Sequence, residues 1–422
     1  MRPLALSACC LLVLAVPARI RAQDADSEEQ IRAAIRRGVQ YVKAHQGNDG
    51  SWNIGGHQVG ATALAGLALA ENGVTLEDPA LKHAYEYVQA NSPGNTQTYD
   101  ISLAILFLVR VGKASDNDLI RLLGAKLAAG QLASGGWTYN CPQSVPLPPP
   151  AGSVTNKPSA KADTAKSAPK RGGRINAGQA MRQGFGDNSN TQFAVLGIWA
   201  AGQAGLDVSD TMADIDGRFR TTQASSGGWG YNGPGADTPA MTCAGLMALI
   251  LAKGHKTIEA QMVNRRPGCA DKVEGPGGKP KMNSDPQIDR GIDRVEFYAG
   301  HLAQNTNHYL LWSVERVGVA LGTARIGHVD WYSAGATLLL KTQRADGSWQ
   351  SAHGELADTS FALLFLRRSN LTKGMPQLVT GRGGDTSDTK MRAGSLQELL
   401  KTVRTPDGAK PGGEQKEAKD KP

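Results

Sequence analysis

The apolar positions of this chain fall into two kinds of helical run that alternate from end to end. Residues 27–46, SEEQIRAAIRRGVQYVKAHQ, place Ile31, Ile35, Val39 and Val42 on one stripe with charges opposite, as in a helix covered on one side only. Residues 58–71, QVGATALAGLALAE, are apolar nearly all round and demand burial on most sides. The pair then recurs. Striped runs at 78–91, 116–131, 209–223, 286–302 and 326–343 alternate with apolar runs at 99–112, 188–204, 238–253, 307–321 and 358–369. Strand-like alternation is nearly absent. The pattern predicts twelve helices in six hairpins, each an outer helix followed by an inner one.

One local frame punctuates this series. Q-x3-G-x-W occurs four times, as Gln46 to Trp52, Gln131 to Trp137, Gln223 to Trp229 and Gln343 to Trp349, and takes four of the seven tryptophans. Trp52 and Trp137 lie 85 residues apart, two hairpins of about 42 residues, while Trp229 and Trp349 lie 120 apart, two hairpins plus a long loop. The frame follows outer helices. Its glycine permits a turn that a Cβ would oppose, its tryptophan covers a helix end, and its glutamine amide can reach unpaired groups at neighbouring helix termini. The predicted role is a structural clamp. An open solenoid carries polar caps on its terminal repeats, yet the first and last hairpins here both carry the full frame. Closure follows, giving an all-α fold: an (α/α)6 toroid of six inner and six outer helices.

The first copy, RGVQYVKAHQGNDGSW, also has Arg37-Gly38 and Tyr41-Val42 at the spacing of the full QW repeat. It resembles the squalene–hopene and oxidosqualene cyclases, whose relatives include protein prenyltransferase β subunits, over roughly residues 27–370 outside the interruptions. The stretch from ERVGVALG through KTQRADGSW to DTSFALLFLRRSN looks closer to exported bacterial prenyltransferase/squalene oxidase repeat proteins, a group of largely unassigned function. The resemblance implies the toroid and says less about chemistry. Squalene–hopene cyclases protonate an alkene with the central Asp of D-x-D-D-T. Here PGADT (234–238) and ELADT (355–359) keep the last acid, Asp237 and Asp358, and have Ala236 and Ala357 in the central place. Aromatic residues number 23 (seven Trp, nine Tyr, seven Phe), few for lining a carbocation cavity once four serve as clamps. Proton-initiated cyclisation is therefore not expected. The zinc of prenyltransferases needs a closely spaced Asp and Cys, and Asp237 and Cys243 are six apart. No GCGEQ-like thioester sequence occurs. Neither a metal nor another cofactor is expected.

Residues 1–22 have the form of a signal peptide: one Arg, an apolar run from Leu4 to Val16, then small residues at Ala18 and Ala22. That run is too short for a transmembrane span, and nothing later is long and apolar enough. Export to the periplasm or outside the cell is expected, with residues 23–371 forming the toroid. Loss of Arg2, Arg19 and Arg21 lowers the formal charge from +8 to +5, and the remaining excess lies in loops and tail, so no nucleic-acid partner is expected. The mature chain keeps Cys141, Cys243 and Cys269, no disulfide framework, although Cys141 and Cys269 lie in loops that could meet. Residues 141–184, 255–285 and 372–422 are too poor in large apolar side chains to predict order, apart from a short helix at 395–404.

Candidate chemistry gathers where the inner helices begin. All six run in one direction, so their N-termini, with unpaired amides and positive dipole ends, open on one face. His57 follows Trp52 by five residues and His353 follows Trp349 by four, so closure would place both on that rim, with Gln58, Asp100, Asn190, Glu355 and Asp358. Thr238 before Pro239, Asp358 or Thr359, and Asp100 or Ser102 also read as helix caps. The fifth inner helix begins NTNHYLLWSVERVG, with His308 and Tyr309 at its mouth and the Glu315–Arg316 pair deeper. NTNHY resembles the Asn-His-Tyr clusters of alginate-lyase-like toroids, where such residues abstract a proton beside a carboxylate. Two classes of function remain. One is a toroid that binds a small molecule, lipid, carbohydrate or protein partner. The other is a rim enzyme, a polysaccharide lyase or hydrolase, with catalytic candidates Asp237, His308, Tyr309, Glu315 and Asp358. A deep aromatic cavity would instead favour isoprenoid chemistry, and a filled ring would favour scaffolding.

Overall fold

The clamp turns set the architecture. In the computed structural model, which describes residues 15–151, 184–264 and 285–368, all four copies make the same bonds. Each tryptophan indole N–H donates to the backbone carbonyl ten residues earlier, Val42, Leu127, Phe219 or Leu339, at 2.7–2.9 Å. Each tryptophan amide N–H donates to a threonine hydroxyl of the following inner helix: Thr62, Thr191, Thr242 or Thr359, at 2.9–3.3 Å. Each glutamine donates to the carbonyl of its motif glycine and to a carbonyl of another outer helix, Ala80, Thr211, Gln287 or Ala34. The motif glycines Gly50, Gly135, Gly227 and Gly347 all adopt φ of 79–89°, the left-handed region that other residues avoid.

Twelve α-helices result among the described residues, with only isolated bridges in place of strands. The outer helices are α1 (Ala15–Ala44), α3 (Pro79–Asn91), α5 (Asn117–Gly130), α7 (Ser209–Thr221), α9 (Pro286–Ala299) and α11 (Trp331–Thr342). The inner helices are α2 (Gln58–Glu71), α4 (Thr98–Val111), α6 (Asn188–Gln203), α8 (Pro239–Asn264), α10 (His308–Leu321) and α12 (Glu355–Arg367). Each inner helix packs on the next, and α12 returns to α2. The ring is closed, an α/α toroid. Its seam joins hairpin six to hairpin one: Gln343 bonds the Ala34 carbonyl at 2.8 Å and the Arg37 guanidinium, Tyr41 Oη donates to Glu355 at 3.0 Å, and Arg367 Nε donates to the Glu71 carbonyl at 2.7 Å.

Three boundaries differ from the periodicity. α1 begins at Ala15, within the segment expected to be a signal peptide, and residues 1–14 lie outside those described. α8 runs on to Asn264, into what the composition marked as loop, because LAKGHKTIEAQMVN has no proline and its one glycine, Gly254, costs a helix interior only about 1 kcal/mol. α12 starts at Glu355, three residues earlier than the apolar run, because Gly354 turns the chain at φ 85°. Residues 152–183 of the expected loop 141–184, residues 265–284 of the expected loop 255–285, and the tail with its short helix at 395–404 lie outside the described residues. Among the described residues no helix is long and apolar enough to cross a membrane.

The clamp should carry a large share of the stability. Trp349 is fully buried, so Trp349→Ala should cost about 3–5 kcal/mol. Thr359→Val, which keeps the shape but strands the Trp349 amide, should cost about 1–3 kcal/mol. Denaturant unfolding checks both, and a Trp349→Ala midpoint equal to wild type would contradict the clamp.

Candidate functional site

Inner-helix N-termini meet on one face, and the polar groups there are held in pairs. His57, preceding α2, has Nδ1 2.8 Å from Oδ1 of Asp100 in the first turn of α4. Asp100 is buried and also accepts from Asn95 Nδ2 at 3.1 Å. Asp358, in the first turn of α12, is buried and accepts from the Ser351 amide (2.6 Å), the Ser351 hydroxyl (2.7 Å) and the His353 amide (3.2 Å). Nδ1 of His308 and Nδ1 of His353 approach the same Asp358 oxygen at 3.4 and 3.6 Å. Burial pushes the Asp358 carboxyl upward, but the His308 and His353 imidazoles beside it and the hydrogen bonds from Ser351 outweigh it and hold the group well below the usual carboxylate range. The expected capping role of Asp358 is thus corrected. Because α12 starts early, the carboxylate reaches back to the amides of the turn, and neither it nor Thr359 caps a helix.

The two rim histidines do not share a carboxylate. His57 is held by Asp100 and His353 by Asp358, and Glu355 is taken by Tyr41 and Arg344. They do flank one floor. His57 meets Tyr99 edge-on with centroids 6.3 Å apart, and His353 lies 5.5 Å from Tyr309. The Tyr99 hydroxyl donates to Ser189 Oγ at 2.8 Å, and Tyr309 Oη lies 3.3 Å from that same oxygen. Both side chains remain partly open to solvent, His57 at 40% and His353 at 38%. Among the described residues no group of three or more His, Cys, Asp or Glu side chains is arranged to hold a metal ion.

Beneath this floor the centre of the ring is filled. Phe193 of α6 stacks on Trp312 of α10 at 5.2 Å and on Tyr309 at 6.1 Å, and Phe361 of α12 packs on both Trp312 and Tyr309. A polar chain ties the same helices: Tyr309 Oη donates to Gln192 Oε1 at 2.7 Å, and Gln192 Nε2 donates to Ser313 Oγ at 3.2 Å. Burial raises the Tyr309 hydroxyl far above its ordinary value, so it stays a neutral donor. Deeper still, Glu315 and Arg316 are both buried and joined by two bonds of 2.5–2.6 Å. Burial lifts Glu315 to about 7 against the pull of Arg316.

The other predicted residues are bound to partners of their own. Asp237 precedes α8 and is bound by Arg294, by Tyr298 Oη at 2.7 Å and by Ser226 Oγ at 3.1 Å. Burial opposes its ionisation, but those bonds keep it below the ordinary carboxylate range. Gln58 donates to Ser51 Oγ at 2.7 Å and Asp49 at 3.1 Å, and buried Asn190 bonds Asp187, the N-cap of α6. Cys243 is buried in α8, its thiol pushed up to about 12 by burial. Cys141 Sγ sits 3.5 Å from Thr98 Oγ1, and its suggested partner Cys269 lies outside the described residues. Two tyrosines that the sequence did not single out also stand on this face. Tyr139 and Tyr231 are 55% and 44% exposed, with hydroxyls 3.4 Å apart.

No family model matches the chain, and no curated protein does. Solved structures similar to it include the type II terpene cyclase MstE from Scytonema without ligand, at 14% identity and TM-score 0.47 over 83% of this chain and 100% of that one. An MstE variant with merosterolic acid A, its product, is 15% identical with TM-score 0.47, covering 84% and 99%. Another with geranylgeranyl dihydroxybenzoate, its substrate, is 14% identical with TM-score 0.43, covering 82% and 98%. The chain's own helix packing defines it as an α/α toroid.

Asp358 and Glu315 give opposite pH signatures. The native Asp358 value lies below the unfolded one, so its stabilisation is complete above about pH 4 and is lost as pH falls toward the native value. The native Glu315 value of about 7 lies above its ordinary 4.5, so stability falls as pH rises through that interval. Urea midpoints measured between pH 3 and 8 should show Asp358→Asn flattening the acid limb and Glu315→Gln flattening the neutral one.

Proposed function

We propose that the protein is an exported binding or scaffold toroid that offers the N-terminal face of its inner ring to a ligand or partner and does not cyclise isoprenoids. The observation that carries this reading is the filled centre. A cyclase must fold a long apolar substrate inside an apolar cavity, and here Phe193, Tyr309, Trp312 and Phe361 occupy the space between α6, α10 and α12. The central acid of D-x-D-D is Ala236 in one copy and Ala357 in the other. Neither copy therefore supplies the acid that protonates the alkene in the squalene–hopene cyclases.

A second reading, a lyase or hydrolase working on the same rim, draws on the two half-exposed histidines. Each has Nδ1 turned to a buried carboxylate, an arrangement that orients imidazole for proton transfer through Nε2. Export is supported by the apolar run Leu4–Val16 with small residues after it.

Incubation with squalene, geranylgeraniol and geranylgeranylated phenols, followed by gas chromatography–mass spectrometry, should yield no cyclised product. Product above a no-protein control would overturn the reading. Mass spectrometry of the chain recovered from its native host should find a mature N-terminus near residue 23, and an intact Met1 would remove the export part.

A further inference from the structure

The rim joins features that an apolar ligand and a purely ionic ligand would each use only in part. Half-buried Tyr99, with buried Tyr309 beneath it, forms a floor flanked by His57 and His353, whose imidazoles face buried carboxylates through Nδ1 and stay partly exposed. The floor continues outward, since Tyr99 lies 6.3 Å from Tyr139, whose hydroxyl is 3.4 Å from that of Tyr231. The two outer rings are exposed, and the backbone that carries each is fixed. The Tyr139 carbonyl accepts from the Thr98 amide at 2.8 Å, and the Tyr231 carbonyl accepts from the Asn188 amide at 2.7 Å, so each ring stands on the start of an inner helix. Large exposed aromatics anchored by the backbone and placed side by side mark a recognition surface.

We infer that this rim, from His353 and His57 across Tyr99 to Tyr139 and Tyr231, is a carbohydrate-binding cup for a chain of several sugar units. The inference rests on the rim-binding reading above. A pyranose ring has a C–H face that packs on an aromatic ring and hydroxyls at its edge that pair with imidazole and phenol. An isoprenoid would leave those polar groups desolvated without partners. The row of rings outlasts one sugar, which selects an oligosaccharide over a monosaccharide.

The test uses the full chain in native gels containing hydroxyethylcellulose, laminarin, galactomannan, pectin or alginate, with binding constants from titration calorimetry on matching hexasaccharides. At least one polysaccharide should retard the protein. The doubly substituted Tyr139→Ala/Tyr231→Ala chain should bind it about tenfold more weakly, as expected for two lost aromatic contacts. Phe297→Ala, which removes an exposed ring of the outer helix α9, should bind as wild type. No retardation by any polysaccharide, or equal retardation of the double variant, overturns the inference. So does sedimentation with phosphatidylglycerol vesicles that the double variant loses when no polysaccharide binds, which would assign the rings to a lipid surface. The cyclisation assay is separate, so a failed sugar test without cyclised product removes the sugar inference alone.

Discussion

A helix that ends inside a protein leaves unpaired carbonyls at one terminus and unpaired amides at the other. A ring of hairpins multiplies that problem by six. This chain meets it with one bond set used four times, in which the indole N–H takes a carbonyl of the outgoing outer helix and a threonine hydroxyl takes the tryptophan amide. The outer helix is thereby fastened to its own inner helix, and the glutamine fastens it to another outer helix. Where the frame is missing, other groups serve. Between α3 and α5, buried Asp116 accepts from Tyr85 Oη and from Gln89 Nε2.

The filled centre follows from the same geometry. The inner helices pack each on the next around the ring, and the space they enclose takes a few large rings. Phe193 and Trp312 come from helices that are not neighbours in the ring, so their stacking braces it across the middle. The Tyr309–Gln192–Ser313 chain adds directional bonds to that brace. Rigidity at the centre then leaves the N-terminal face as the place where side chains remain available, and the half-open histidines and outer tyrosines are found there.

The helices and the clamp were legible because both are local: a 3.6-residue period, and a frame written within seven residues. The ring closure was legible from the terminal hairpins lacking caps. Less could be read where an outcome depends on residues from separate helices. Thr62, Thr191, Thr242 and Thr359 stand at +10, +54, +13 and +10 from their tryptophans, so the unequal loop lengths hide the repeat. His308 is buried, and neither ring nitrogen has a partner nearer than Asp358 at 3.4 Å; as the first residue of α10 it had read as part of the open mouth. Tyr99 and Phe193 were hidden among apolar neighbours, since each looks like an ordinary inner-helix residue in its own segment, whereas Tyr309 stood out beside His308 but as a mouth residue and not as part of the filled centre. Tyr139 and Tyr231 did leave a signal, each standing two residues after a clamp tryptophan.

The seam between the last and first hairpins also governs how the molecule can be made. Gln343 meets Ala34 across 309 residues and Tyr41 meets Glu355 across 314, so these pairings cannot form until the sixth hairpin exists. A solenoid can fold from one end and tolerate truncation, because each repeat needs only its neighbours. A ring has no free end to stop at. A growing chain of five hairpins exposes two inner faces that only the sixth can cover, and that long-range step makes closure a slow, late event in folding. The toroid is thus assembled as a unit or not at all, and its N-terminal rim exists only once the two ends of the chain have met.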